Sequence, residues 1–185
     1  MGLGQPRNCS MNETRQMFKV LSLLLQYPEP DLIGALPELE QIIRAWSCSE
    51  VREECGRFLA YLQAAPLVEM QAEYTARIDF DPSTCMHLTF HECGDSRQRG
   101  SALVRFKELY RSGGYDLSTS ELPDFLPVVL EFLAVCPDEA CTELFARYEA
   151  HITTLAARLK DRNSPYSHPL EALSLLISEC ARRGD

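Results

Sequence analysis

Apolar residues recur at steps of three and four along almost the whole of this 185-residue chain. That period commits it to packed amphipathic helices. Met17, Leu21 and Leu24, flanked by Phe18 and Leu25, form the first stripe, over about Asn12 to Gln26. Tyr27-Pro28 closes it, because a residue before proline is pushed out of the helical region. Leu32, Leu36, Leu39, Ile42, Ile43 and Trp46 give a second stretch, with Pro37 marking a break or a fresh start. Ser47 and Glu50 have capping-box spacing before a third stripe of Val51, Cys55, Phe58, Leu59 and Leu62. Leu67, Met70, Tyr74 and Ile78 follow in register after Pro66.

Asp81-Pro82 has the form of an N-cap and first-turn proline, opening a short helix over Ser83 to Glu92 that Gly94 stops. Asp95 or Ser96 caps the next helix, which buries Leu103, Phe106 and Tyr110 and ends at Gly113-Gly114. Another helix spans Asp124 to Val135. A long one spans Asp138 to Lys160, with Cys141, Leu144, Phe145, Tyr148, Ile152, Leu155 and Leu159 on one face. A linker then leads to a last helix bearing Leu170, Leu173, Leu176, Ile177 and Cys180. Strand-like alternation is nearly absent, and no fixed-period repeat occurs. The pattern predicts an all-α, single-domain bundle of about eight or nine helices. Residues 1–11 read as a disordered N-terminus, 12–160 as the helical domain, and 161–185 as a linker and a less firmly attached C-terminal helix.

A chain of this length can bury roughly 70% of its unfolded surface in one core, so it needs neither metal nor disulfide to fold. The formal charge, 18 basic against 27 acidic residues, is −9. An acidic surface repels phosphate backbones and favours a cationic peptide as partner, so nucleic acid is excluded from the expected partners. No apolar run approaches the length of about eighteen residues that spans a bilayer, so direct membrane insertion is excluded too. The N-terminus lacks the apolar core of a secretory signal. The expected localisation is therefore cytoplasmic, with the scattered cysteines at 9, 48, 55, 85, 93, 136, 141 and 180 reduced and several of them in step with leucines. The glycosylation sequons at Asn8 and Asn12 then carry no meaning.

Chemistry-bearing residues gather at Cys85, His87, His91 and Cys93. Two histidines four apart on a helix could face one metal. Cys85, however, would lie about 200° around that helix from His87 and point away. His91-Glu92 has no second histidine to complete a zinc-protease motif. Gly94 to Gly100 lacks the Gly-Lys-Ser/Thr ending of a phosphate loop. A small metal-dependent or thiol enzyme using this cluster is the rival reading; the favoured one has no catalytic residue, no metal and no cofactor of its own. Arginine at the start of a helix, as in Gly94-Asp95-Ser96-Arg97-Gln98-Arg99-Gly100, is mildly unfavourable against the helix dipole and asks for an ion-pair or functional reason. Leu122-Pro123-Asp124-Phe125-Leu126-Pro127 puts two prolines around a cap, which suits a tight turn into a buried helix.

Four pieces in one order carry a resemblance: Leu24-Leu25-Gln26-Tyr27-Pro28; Tyr74 with Asp79; the Gly94 to Gly100 segment; and Leu122 to Pro127 with Leu130-Glu131-Phe132-Leu133. Over about residues 14 to 160 the chain resembles the NarJ-type nitrate reductase assembly chaperones, in the TorD/DmsD group of redox-enzyme maturation proteins. The resemblance implies an all-helical, non-enzymatic cytoplasmic chaperone. Its partner would be the catalytic subunit of a molybdoenzyme, the nitrate reductase alpha subunit or that of another molybdopterin oxidoreductase, held by its basic N-terminal peptide. Molybdenum cofactor would be inserted during that hold, before membrane attachment. Positions matching the family's motifs are Tyr74, Asp79, His91, Gly94, Ser96, Arg97, Arg99, Gly100, Leu122, Pro123, Asp124, Pro127 and Glu131. Of these, Tyr74, Asp79, His91, Ser96, Arg97, Arg99, Pro123, Asp124, Pro127 and Glu131 are the candidate peptide-binding residues. Two positions depart from the family: Phe125 and Cys93 stand where it usually has histidine. A helical groove with an acidic rim suits a leader that joins basic residues to an apolar stretch, and Asp79, Asp124 and Glu131 are the candidate acids.

Overall fold

The Ser10 hydroxyl accepts from the Glu13 N–H and caps α1 (Met11–Leu24). A computed structural model describes residues 10–136 and 138–184, without the side chains of 138–142, 145, 183 and 184. Residues 1–9, and the Cys141 and Phe145 side chains expected on the long stripe, lie outside this description. The helices that follow are α2 (Pro30–Arg44), α3 (Ser49–Ala64), α4 (Leu67–Tyr74), α5 (Leu88–Cys93), α6 (Arg97–Ser112), α7 (Leu126–Leu133), α8 (Asp138–Asp161) and α9 (Ser167–Gly184). No strand interrupts them among the described residues, so the fold is all-α, as the periodicity predicts.

The predicted stripes face the interior, most of their described residues buried and Leu32, Ile42, Leu67, Leu103 and Cys180 half-buried. Met17, Leu21 and Leu24 of α1, Val51, Cys55 and Phe58 of α3, and Ile152, Leu155 and Leu159 of α8 join one continuous core. Helix α1 packs on α7, α2 on α3, and α9 on both α3 and α8. The last helix is therefore not loosely attached: Leu170, Ala172, Leu173, Leu176 and Ile177 are all fully buried. Apolar burial of roughly 1.5–3 kcal/mol per side chain explains why it cannot be a free appendage. The turn before it contributes too, since Tyr166 packs between Phe58 and Tyr74 at ring separations of 5.0 and 5.3 Å.

Several local readings give way to tertiary packing. Helix α2 runs unbroken through Pro37. Ser47 and Glu50 form no capping box; Cys48 is the N-cap of α3, and Ser47 donates instead to the Glu13 carboxylate. Asp81 makes an Asx turn with the Ser83 N–H and hydroxyl (2.9 and 2.6 Å) rather than opening a helix, so α5 begins only at Leu88. The sequence pattern of α4 continues past Tyr74, but as a π-helical turn over Thr75–Asp79, closed by Phe80 N–H donating to the Thr75 carbonyl at 3.0 Å. The extra residue in that turn re-aims Asp79. Helix α7 starts two residues later than predicted, because Asp124 is used elsewhere.

Candidate functional site

Residues 86–88 and 124–126 meet as a single antiparallel bridge, with Leu88 N–H donating to the Asp124 carbonyl and Leu126 N–H to the Met86 carbonyl (3.1 and 2.8 Å). The Asp124 carboxylate is thereby carried 35 residues across the sequence to the start of α5. It accepts from both the Thr89 N–H (3.0 Å) and the Thr89 hydroxyl (2.6 Å). His87 occupies the N-cap position of α5 but makes no cap bond, so Asp124 caps that helix in trans. Its other oxygen faces His87 Nδ1 at 3.4 Å. Asp124 is 0% exposed. Burial by itself raises its carboxyl, but the His87 and Thr89 bonds outweigh that and hold it below the ordinary carboxylate range. Asp124 is therefore neither the cap of its own helix nor an accessible rim acid: one oxygen is filled by Thr89, the other is enclosed against His87, and a fully buried carboxylate does not meet a cation in solution.

Around this junction the motif residues divide sharply. Pro123 is buried, its carbonyl accepting from the Tyr110 hydroxyl at 2.5 Å. Pro127 is buried, its carbonyl accepting from Ser22 of α1 at 2.8 Å. Tyr74 is buried, its hydroxyl donating to the Leu25 carbonyl at 3.3 Å. The half-buried His91 turns Nε2 to the Cys85 carbonyl at 2.7 Å, and burial pushes its pKa down. Thus His87 and His91 diverge, one to Asp124 and the other to Cys85. Cys85 does approach His91, Sγ to Nε2 3.8 Å, because residues 83–87 are not helical and the 200° offset does not apply. Burial raises the Cys85 thiol pKa, which disfavours a nucleophilic thiolate.

The two arginines of the Gly94 to Gly100 segment differ as well. Arg99 stacks over Phe90 (5.5 Å), donates to the Thr89 hydroxyl (3.4 Å) and lies 3.9 Å from Asp95. It ties α6 to α5 and so has the ion-pair reason its position demands. Ser96 is the exposed N-cap of α6, and Arg97 is exposed on its first turn. Gly94 takes a φ of +56°, which a residue with a Cβ rarely adopts, and so stops α5.

Next to the junction lies a groove of about 780 Å³. Leu23, Leu32, Ala35, Phe125 and Val128 give it apolar walls, and Tyr27 and Tyr74 meet edge to face at 5.4 Å. Glu29, Asp31, Asp79, Glu121 and Glu131 supply five carboxylates. Asp79 reaches the groove from the π-helical turn. Burial, and then the charge of Glu121, raise its carboxyl above the ordinary range, with His87 partly offsetting them. Of the ten candidates, then, Tyr74, Asp79, Pro127 and Glu131 come together here; His91, Ser96, Arg97, Arg99, Pro123 and Asp124 do not line it. Thr89 and Glu121 were invisible to the motif reading. Thr89 matters only through a partner 35 residues away, whereas Glu121, beside the Leu-Pro-Asp turn, could have been found by counting acids flanking that motif. A second groove of about 840 Å³, lined by Arg15, Lys19, Tyr115 and Phe132, shares Thr119, Val128 and Glu131 with the first.

Among the described residues, three potential metal-ligand atoms lie within 4.8 Å of one another only at Glu54, His168 and Glu171. Those carboxylates already face cations: Arg57 is 3.0 Å from Glu54, and Lys160 is 2.5 Å from Glu171. The cluster is a polar network in which Lys160 of α8 pairs with Glu171 of α9, and His168 of α9 meets Glu54 of α3 at 2.8 Å. No described helix is long and apolar enough to cross a membrane.

This all-helical fold is shared with a solved structure described as a redox-enzyme maturation protein. That structure, from Archaeoglobus fulgidus, superposes with a TM-score of 0.65 over 91% of this chain and 94% of that one, at 22% identity. At the level of sequence, the family described as nitrate reductase delta subunit matches residues 47–172, and the chain belongs to it. A Bacillus subtilis (strain 168) protein assigned as nitrate reductase molybdenum cofactor assembly chaperone NarJ is 33% identical, over 88% of this chain and 90% of that relative. Escherichia coli (strain K12) NarJ, of the same description, is 34% identical over 80% of this chain and 64% of its own length. The expected family thus holds: the chain belongs to the NarJ-type family, whose relatives are named as assembly chaperones rather than as catalysts.

Proposed function

We propose that the chain is a cytoplasmic chaperone that holds the catalytic subunit of a respiratory nitrate reductase by its basic N-terminal peptide while molybdenum cofactor is inserted, before the subunit attaches to its membrane partner. The observation that carries this is the groove beside Tyr74: apolar and aromatic walls with five carboxylates, four of which have no ion-pair partner among the described residues. An amphipathic leader helix would lay its apolar face on Leu32, Phe125 and Val128 and its basic residues against Asp79, Glu121 and Glu131. The net charge of −9 would speed encounter with such a leader and make binding salt-dependent. The names of the relatives support the choice of client. Calorimetric titration with the N-terminal peptide of the nitrate reductase catalytic subunit tests it. Binding is expected at low salt and weakens as salt rises; no binding at low salt overturns the proposal.

A further inference from the structure

Glu131 differs from the other groove carboxylates. It stands on α7 at the boundary of the two grooves and is already bridged by the ammonium of Lys19, which α1 presents from the second groove. Glu29, Asp31, Asp79 and Glu121 have no ion-pair partner among the described residues. The Lys19 and Glu131 side chains are 49% and 56% exposed. A pair so open to water is weak and exchanges readily with an outside cation. It joins two helices that are already locked together by core packing and by the bond from Ser22 to Pro127, so the fold does not depend on it.

We infer that Lys19 is a built-in competitor for the basic residue of the occupant, and so a specificity-determining residue of the groove. At rest it neutralises the Glu131 end and leaves the Asp79/Glu121 end negative. A peptide whose cation arrives at Glu131 must first release the Lys19 ammonium; one whose cations reach only Asp79 and Glu121 need not. The groove therefore discriminates by where along a peptide the basic residues fall, because a cation at the Glu131 end meets competition that a cation at the Asp79/Glu121 end does not. This inference rests on the peptide-groove reading above.

The test is fluorescence anisotropy with the labelled leader peptide of the nitrate reductase catalytic subunit and a copy with its basic residues changed to glutamine. Lys19→Met keeps the aliphatic stem, and Lys107→Met on α6, outside both grooves, makes the same change in net charge. Lys19→Met is expected to bind the leader roughly two- to five-fold more tightly at low salt. The gain should exceed that of Lys107→Met, shrink at high salt, and vanish for the glutamine peptide and in a Glu131→Gln background. Equal affinity of wild type and Lys19→Met, or a gain no larger than that of Lys107→Met, overturns the inference and leaves the groove reading intact. Absence of binding to both wild type and Lys19→Met defeats the groove reading, and the inference with it.

Discussion

Asp124 and Asp79 are both motif carboxylates, and both feel the charge of His87, yet the fold uses them in opposite ways. Asp124 has Thr89 and His87 as partners inside the protein, and its carboxyl is held below the ordinary range. Burial, and then its electrostatic neighbour Glu121, push the Asp79 carboxyl above it. A carboxylate enclosed in the interior is structure, because nothing in solution reaches it. Exposed like charges gathered on one groove cost the free protein something and are relieved by an incoming cation. Under the proposed function, the difference assigns peptide binding to residues 79, 121 and 131, and a mechanical role to 124.

Removing the internal carboxylate breaks the comparison most strongly. Asp124→Ala would leave the Thr89 N–H and hydroxyl without their acceptor in the interior and open space beside His87, at a cost of about 3 kcal/mol. For a chain of this size that corresponds to a fall in melting temperature of roughly 6–12 °C. Asp124→Asn keeps an acceptor for Thr89 and should lose only about 1 kcal/mol. Thermal melts followed by circular dichroism decide it, and an Asp124→Ala variant that melts like wild type would remove Asp124 from the structural side.

The converse variant, Asp79→Asn with Glu121→Gln, should leave melting unchanged or slightly raised, because it removes repulsion and no internal bond. Leader binding should fall about tenfold, the loss of two charge contacts at a partly exposed site. Calorimetry at low salt measures this. Retained affinity would move the cation site away from this end of the groove.

Acid should separate the two regions in order. The folded-state pKa of Asp79 is raised, so its charge opposes folding at neutral pH and that penalty disappears on acidification; what acid removes is the negative site for the peptide. Binding should therefore weaken by a few-fold as pH falls toward the upper carboxylate range, with the helical signal intact. The folded pKa of Asp124 is depressed, so its stabilisation is complete above the unfolded value of about 3.9 and is lost only as pH falls through the lower folded value. A pH titration of anisotropy beside circular dichroism gives both transitions. Unfolding that precedes loss of binding contradicts the assignment.

Much of the fold was legible because a 3.6-residue period survives wherever one helix face is buried: the stripes at Met17 to Leu24 and at Ile152 to Leu159 are core residues of one bundle. Illegible features were those decided by a distant partner. Ser47 abandons its capping box for Glu13, and Asp124 caps α5 from the other side of a 35-residue separation. Motif spacing brought out Tyr74, Asp79 and Glu131, which do meet in the groove, but it could not tell a filled carboxylate from an open one. Burial makes that distinction, and a linear motif does not encode burial.

The smallest effect sharpens the same distinction within three residues. Arg99 is the inward partner at the start of α6, stacked on Phe90 and bonded to Thr89, so Arg99→Ala should cost about 1 kcal/mol. Arg97 is exposed on the same turn, and Arg97→Ala should stay within about 0.5 kcal/mol of wild type. Because α6 starts outside the groove, peptide affinity should be unaffected by Arg97→Ala. The useful readout is the molybdenum content of nitrate reductase matured in cells carrying each variant. A reduced content with Arg97→Ala at unchanged melting and unchanged peptide binding would make the α6 start a second working surface, acting after the leader is held. If only Arg99→Ala lowers the content, in step with its loss of stability, the arginine segment belongs with Asp124: it is a brace between α5 and α6, and the groove carries the binding alone.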